Sequence, residues 1–489
     1  AGTYNIHFTL LIMTQCVAQS GYNFRPNSSI VFNEMSVVLC VVQGRPTPVP
    51  RAHRDVVTSQ GAARGYFAPD PPHFVYFGLP YARSPTRRNR FKAPEPPPKW
   101  DGIFEATHKI KCSQPIADDG EENCLVVNVF APEHASSLPV LVFVHGGDFQ
   151  NGWGAYHAPV IFLNDGYVIV TFNYRLGALG FLCLGIPEAP GNAGLKDQIA
   201  ALYWVNRNIA QFGGNPHDVT VYGTGAGAAA IQLALLSGMV EGLLHRVILE
   251  SGSALSPSSM TFDPQTIAYN GATSLGYKGS NESDKLHSFY LQASAKYLAG
   301  IPEMFLPCVD NTSDYALNLI DVDPVRKLKE RNFHNVPMLI TFTHPDKTSI
   351  IGTDTQNFEN VPENFDDLLP NNLEFQNHKD KHGLGEIVKQ FYFKDDFRGD
   401  TVQSYADYMH DTLTEYPIIK MAMLFAAKNT YSVYVMKFTL PREASDESVP
   451  TSFDAILDYL YKVEEQTELD LETLMTLLNN FIKMGYVNC

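Results

Sequence analysis

Apolar and polar positions along the chain alternate between two regimes. Short, nearly continuous apolar runs at 138–144, 167–172, 218–222 and 245–250 have the length of strands buried on both faces. Between them, 194–211 and 227–236 carry helix-length patterns. Strand and helix in alternation predict a parallel sheet covered by helices on both faces. Two further strands are predicted at 336–342 and 432–439, with a helix over 402–416 in an acidic stretch that spans 353–415. Upstream, the proline-rich, basic segment 44–54 (GRPTPVPRAHR) predicts a linker, because proline suppresses both helix and sheet. Ordered structure is expected to resume near Val56. The chain therefore divides into an N-terminal extension, 1–55, and one α/β domain, 56–489. There is no internal repeat, and 442–448 (REASDES) reads as a solvated loop.

Composition narrows this picture. A chain of 489 residues with 45% hydrophobic and 18% charged residues has ample apolar surface for one large core. Its formal charge of -16, from 36 Lys+Arg against 52 Asp+Glu, leaves no basic footprint for nucleic acid. No apolar run reaches the roughly 18 residues of a membrane-spanning helix, and 30–42 is interrupted by Asn33 and Glu34. Any membrane tether is expected outside this chain. The stretch 6–18, followed by Gln19 and Ser20, fits a signal-peptide core or an ordered N-terminal strand, and both stay open. Sequons at Asn27, Asn281 and Asn311 point to an extracellular or secreted glycoprotein. Seven cysteines are an odd number, so at least one is free or joined to another chain if the others pair. The histidines are dispersed, without paired-histidine or CxxC spacing, so neither a metal nor a cofactor is expected.

One segment carries chemistry. The predicted strand DVTVY runs into Gly223-Thr224-Gly225-Ala226-Gly227 and then the small-residue helix AAAIQLALL. This is the setting of a nucleophile elbow, where the pattern G-x-S-x-G raises a serine on a sharp strand-to-helix turn. The serine is missing. Glycine has nothing with which to attack a carbonyl, and Thr224 is one residue early on a tight turn, which aims its hydroxyl elsewhere.

With its surroundings, that segment resembles the carboxylesterase/cholinesterase family of α/β-hydrolases. The resemblance is carried by DQIAALYWVNRNIAQFGGNPHDVTVYGTGAG at 197–227 and VILESGSALSP at 247–257. FGLPYA, RFKAPEPPPKW, CSQ…ENCLVVNVFAP, VFVHGG, FNYRLGALGFL, GNAGLKDQ and LLNNFIKMG stand in the family's order across the chain, and only residues 1 to 55 or so lie outside it. The resemblance implies an α/β-hydrolase fold with a large, mostly parallel central sheet. It also places the remaining triad positions. VPMLITFTHPDK at 336–347 puts Asp346 at the acid position, and TSFDAILDYLY at 451–461 puts Phe453 where the histidine belongs. The backbone N–H groups of Gly146, Gly147 and Ala226 correspond to the oxyanion hole, but Asp148 replaces the usual third glycine. Cys112 and Cys124 match the family's first loop disulfide. The second loop pair has no counterpart, and Cys183 and Cys308, in apolar contexts, are expected as buried thiols. A Cys16–Cys40 pair within the extension and an interchain role for Cys489 stay open.

Loss of both nucleophile and base implies a protein that is not an enzyme. Such members of the family, the neurotactin, glutactin and neuroligin types, act in adhesion through their surfaces, so a protein partner is the first expectation. A carrier or storage protein holding an apolar small molecule such as a lipid, hormone or pigment in the vestigial gorge is the alternative, and residual ester hydrolysis a third. Leu469, Leu471, Leu474, Leu477 and Leu478 fit either a C-terminal helix that pairs two copies or ordinary core.

Overall fold

The computed structural model of the protein describes residues 28–32, 35–39, 52–115, 120–155, 160–310, 318–331, 333–343, 364–370, 373, 375–393, 401–438 and 468–487. The chain separates into two units, Ala1–Ala52 and His53–Cys489. The first contains an antiparallel hairpin, Ser28–Phe32 with Met35–Leu39, in which Phe32 lies opposite Met35.

The second unit is built on an eleven-stranded sheet. Its strands in chain order are β1 (His53–Val57), β2 (Ala62–Pro69), β3 (Pro72–Pro80), β4 (Ile103–Glu105), β5 (Val126–Pro132), β6 (Leu138–Val144), β7 (Val168–Phe172), β8 (Gly214–Thr224), β9 (Arg246–Glu250), β10 (Met338–Thr343) and β11 (Val433–Phe438). Across the sheet they run β11-β10-β9-β8-β6-β7-β5-β3-β2-β1, with β4 beside β2. From β7 to β11 every pairing is parallel, whereas β1, β2, β3 and β5 pair antiparallel. The antiparallel flank is what the strand-helix alternation could not show, since β1 to β3 follow one another through tight connections rather than through helices. Strand β1 begins earlier than Val56, at His53, inside the segment whose prolines suggested a linker.

The central runs are continuous because both sheet faces are covered. On β6 the alternate residues Val140, Val142 and Val144 join one core with Val168, Val170, Val221 and Ile231, while Leu141 and Phe143 join the core on the opposite face. The first core packs α1 (Ala193–Asn208) and the alanine-rich α2 (Ala226–Ser237) against the sheet. The second takes Leu474, Leu478, Phe481 and Ile482 from the C-terminal helix, Glu468–Met484, so two of the five leucines in question are buried core. The predicted helix at 402–416 is a helix over Thr401–His410 that widens into a π-turn at Asp411–Glu415 before a second helix, Tyr416–Ala426.

Two disulfides staple this unit. Cys112 is bonded to Cys124, closing a short loop. Cys183 and Cys308 are not thiols: they are bonded to each other across 125 residues, with Cα atoms 6.8 Å apart. An apolar context does not distinguish a buried thiol from a buried half-cystine, and so long a separation leaves no spacing signal. Arg175 forms a fully buried ion pair with Asp197 at 2.7 Å, fixing the loop that follows β7 onto α1.

Candidate functional site

The turn between β8 and α2 has the geometry of a nucleophile elbow. Gly225, its apex, has φ 49° and ψ -116°, a region that residues with a Cβ enter only under strain. It is held from both sides: its N–H donates to the Glu250 carbonyl at 2.8 Å, and its carbonyl accepts from the Ala229 N–H at 3.1 Å. Crowding explains the glycine at 227, where a Cβ would sit 2.3 Å from the Val144 carbonyl oxygen. Helix α2 is thereby seated directly on the end of β6.

β6 leads into the loop His145-Gly146-Gly147-Asp148-Phe149. Gly147, Asp148 and Phe149 have φ of 95°, 52° and 61°, three successive left-handed residues. The Gly147 carbonyl accepts from the Gln150 and Asn151 N–H groups, and the Gln150 amide donates to the Phe305 carbonyl at 2.7 Å, anchoring the loop. Gly146 lies against the elbow, where a Cβ would be 2.8 Å from the Thr224 carbonyl oxygen. Asp148 therefore occupies a backbone conformation suited to glycine, and aspartate is among the residues that tolerate it best. Its side chain keeps a solvent-exposed edge, yet the surrounding protein mass raises the carboxyl above the usual aspartate range.

His145 is the histidine nearest to this loop in sequence, and it is unsuited to be a base. Its ring stacks on Tyr174, centroids 4.4 Å apart, and the Tyr174 hydroxyl donates to the His145 carbonyl at 2.9 Å. Burial lowers its pKa to about 4, which leaves it neutral, and its Nε2 has no partner among the described residues.

Beneath the elbow lies a row of polar groups of which sequence reasoning singled out Thr224 alone. Thr224, Glu250 and Thr341 are in register on β8, β9 and β10, all fully buried. The Tyr222 hydroxyl donates to the Glu250 carboxylate. The hydroxyls of Thr224 and Thr341, and that of Ser251 just beyond Glu250, have no hydrogen-bond partner among the described residues. The Thr224 hydroxyl is buried beside Gly146, where a Cβ would lie 3.4 Å from it, and is closed to an approaching carbonyl. The available signal was the carboxylate closing the apolar run RVILE, since a charged residue at the buried end of a central strand is unusual.

Of the other expected site residues, Asp346 and Phe453 lie outside the described residues, as do Asn27, Asn311, Cys16, Cys40 and Cys489. Asn281 is exposed, its side-chain oxygen accepting from the Gln265 amide at 3.1 Å. Among the described residues no helix is long and apolar enough to cross a membrane.

The family model for the carboxylesterase family matches residues 52–489. Esterase FE4 of Myzus persicae is 32% identical over 461 residues, covering 84% of this chain and 80% of its own. Juvenile hormone esterase of Heliothis virescens is 31% identical over 469 residues, covering 85% and 82%. Neuroligin-3 of Mus musculus is 36% identical over a shorter stretch of 285 residues, 47% of this chain and 34% of its own. Among solved structures, juvenile hormone esterase from Manduca sexta with OTFP covalently attached superposes with a TM-score of 0.77 at 26% identity, covering 89% of this chain and 91% of that one.

Proposed function

We propose that this chain, which belongs to the carboxylesterase family, has kept the family's fold without its hydrolytic chemistry and works by recognition. The observation that carries this reading is Gly225 at the apex of an intact elbow. An acyl-enzyme cannot form on a residue without a side chain, and oxyanion donors alone leave the carbonyl without an attacking group. Neither nearby substitute answers the need: Thr224 is fully buried beside Gly146, and Glu250 is fully buried and bonded to Tyr222. Phe453 at the position of the base, read from the resemblance, removes the second requirement, and leaves Asp346 with no imidazole to orient. Among the chain's relatives the esterases act on esters; what it shares with neuroligin-3 supports a protein partner met at an extracellular surface. Two buried disulfides fit an oxidising compartment.

The test is turnover of p-nitrophenyl acetate and butyrate by purified protein against a boiled control, with an ectodomain cell-aggregation assay beside it. No turnover and specific aggregation or capture of a cell-surface protein are expected. Turnover above the boiled control would overturn the reading.

A further inference from the structure

We infer that the cleft between the segment after β9 and the π-turn at Asp411–Glu415 binds a small apolar amine, its hydrocarbon part against Leu255, Pro257 and Ile419 and its ammonium group on Asp411. The cleft has a volume of about 530 Å³, within the range of small-molecule sites. None of its lining residues belongs to the elbow or to the loop after β6, so the inference does not depend on whether the elbow is silent.

Its walls are mostly apolar: Leu255, Pro257, Pro370, Leu373, Pro417 and Ile419 contribute hydrocarbon surface. At the rim, Tyr416 is 66% exposed, Leu373 43% and Ile419 38%, apolar surface that an occupant would remove from water. The polar groups are concentrated on one side. The π-turn widens the helix, with the Tyr416 N–H reaching the Asp411 carbonyl, and places Asp411 and Glu415 both on the cleft. One side-chain oxygen of each comes within 4.8 Å of the other and of a His410 ring nitrogen.

The two carboxylates differ in their partners. Glu415 is already compensated by Lys437 at 2.9 Å, and a His410 ring nitrogen lies 3.1 Å from it. Burial raises its carboxyl, but these two partners outweigh it and hold the pKa below the usual glutamate value. Asp411 receives only the neutral Tyr392 hydroxyl, at 2.7 Å, and has no cationic partner among the described residues. A carboxylate facing an apolar cavity without a counter-charge favours an occupant that brings one, and the apolar walls favour an organic cation over a hydrated inorganic one.

Isothermal titration of the full chain with tryptamine, its neutral analogue tryptophol and the anion indole-acetate tests this. Tryptamine is expected to bind about tenfold or more tightly than tryptophol, and indole-acetate not at all. Asp411→Asn should bring tryptamine down to the level of tryptophol. Tyr392→Phe, which removes the donor to Asp411 and leaves its charge, should keep or strengthen tryptamine binding. Equal affinities for amine and alcohol, an unchanged preference in Asp411→Asn, or loss of the preference in Tyr392→Phe would overturn the proposal. So would sedimentation showing a second copy of the chain covering the rim, with no response to amine.

Discussion

Restoring a side chain at the elbow separates two consequences of Gly225, one mechanical and one chemical. In Gly225→Ala the Cβ must accept φ 49° and ψ -116°, at a cost of about 1–3 kcal/mol. The backbone has little freedom to relax, because the Gly225 N–H is tied to Glu250 and its carbonyl to Ala229. Against that, the unfolded chain loses conformational freedom, which offsets about 0.4–1 kcal/mol. The net expectation is a loss of about 1–2 kcal/mol, a fall of roughly 1–2 °C in thermal midpoint for a chain of this size. Gly225→Ser should lose a similar amount, and it should still fail to hydrolyse p-nitrophenyl acetate, because a serine without a base stays protonated. Scanning calorimetry reads the first effect and absorbance of released p-nitrophenol the second. A variant that melts at or above the parent temperature would refute the argument that glycine relieves strain here. A serine variant that turns over ester while the parent does not would refute the absence of a base.

Three other expectations rest on separate features. Replacing Cys183 and Cys308 together by serine opens a 125-residue loop and should cost on the order of 2–5 kcal/mol, read as a shift in the urea midpoint under oxidising conditions. Gly227→Ala should be worse than Gly225→Ala, since its Cβ would lie 2.3 Å from the Val144 carbonyl oxygen and must push α2 off the sheet; loss of soluble folded protein or a distinctly larger midpoint shift is expected. His145 has a folded pKa of about 4 against an ordinary 6.5, so its contribution is present above pH 6.5 and is lost as pH falls towards 4. That difference is worth about 3 kcal/mol at the acid end, and His145→Gln should flatten stability between those pH values by that amount.

How much of this was legible depends on the kind of signal. The central strands and α2 were readable because burial on both faces leaves long apolar runs, as in LPVLVFV of β6, and because the glycines around the elbow answer to crowding as well as to chemistry. Predicted ends differed by a few residues, as where β8 begins at Gly214 rather than 218. The antiparallel flank was not read, since β2 and β3 are strands of mixed composition, without a continuous apolar run. The π-turn left no trace in the pattern, because one widened turn shifts the helical phase without changing residue type. The row that joins Thr224, Glu250 and Thr341, and the pairing of Cys183 with Cys308, are facts of three-dimensional juxtaposition and not of neighbours in sequence.

The Cys183–Cys308 bond also decides how this unit would yield to force. Tension applied along the chain outside residues 183–308 passes through the bond and cannot reach into the segment it encloses. Of the unit's length, 125 residues are withheld from extension, about 410–450 Å of contour at full stretch. Under load the larger part of the unit, outside the bond, could still extend, and only a reductant would release the enclosed segment.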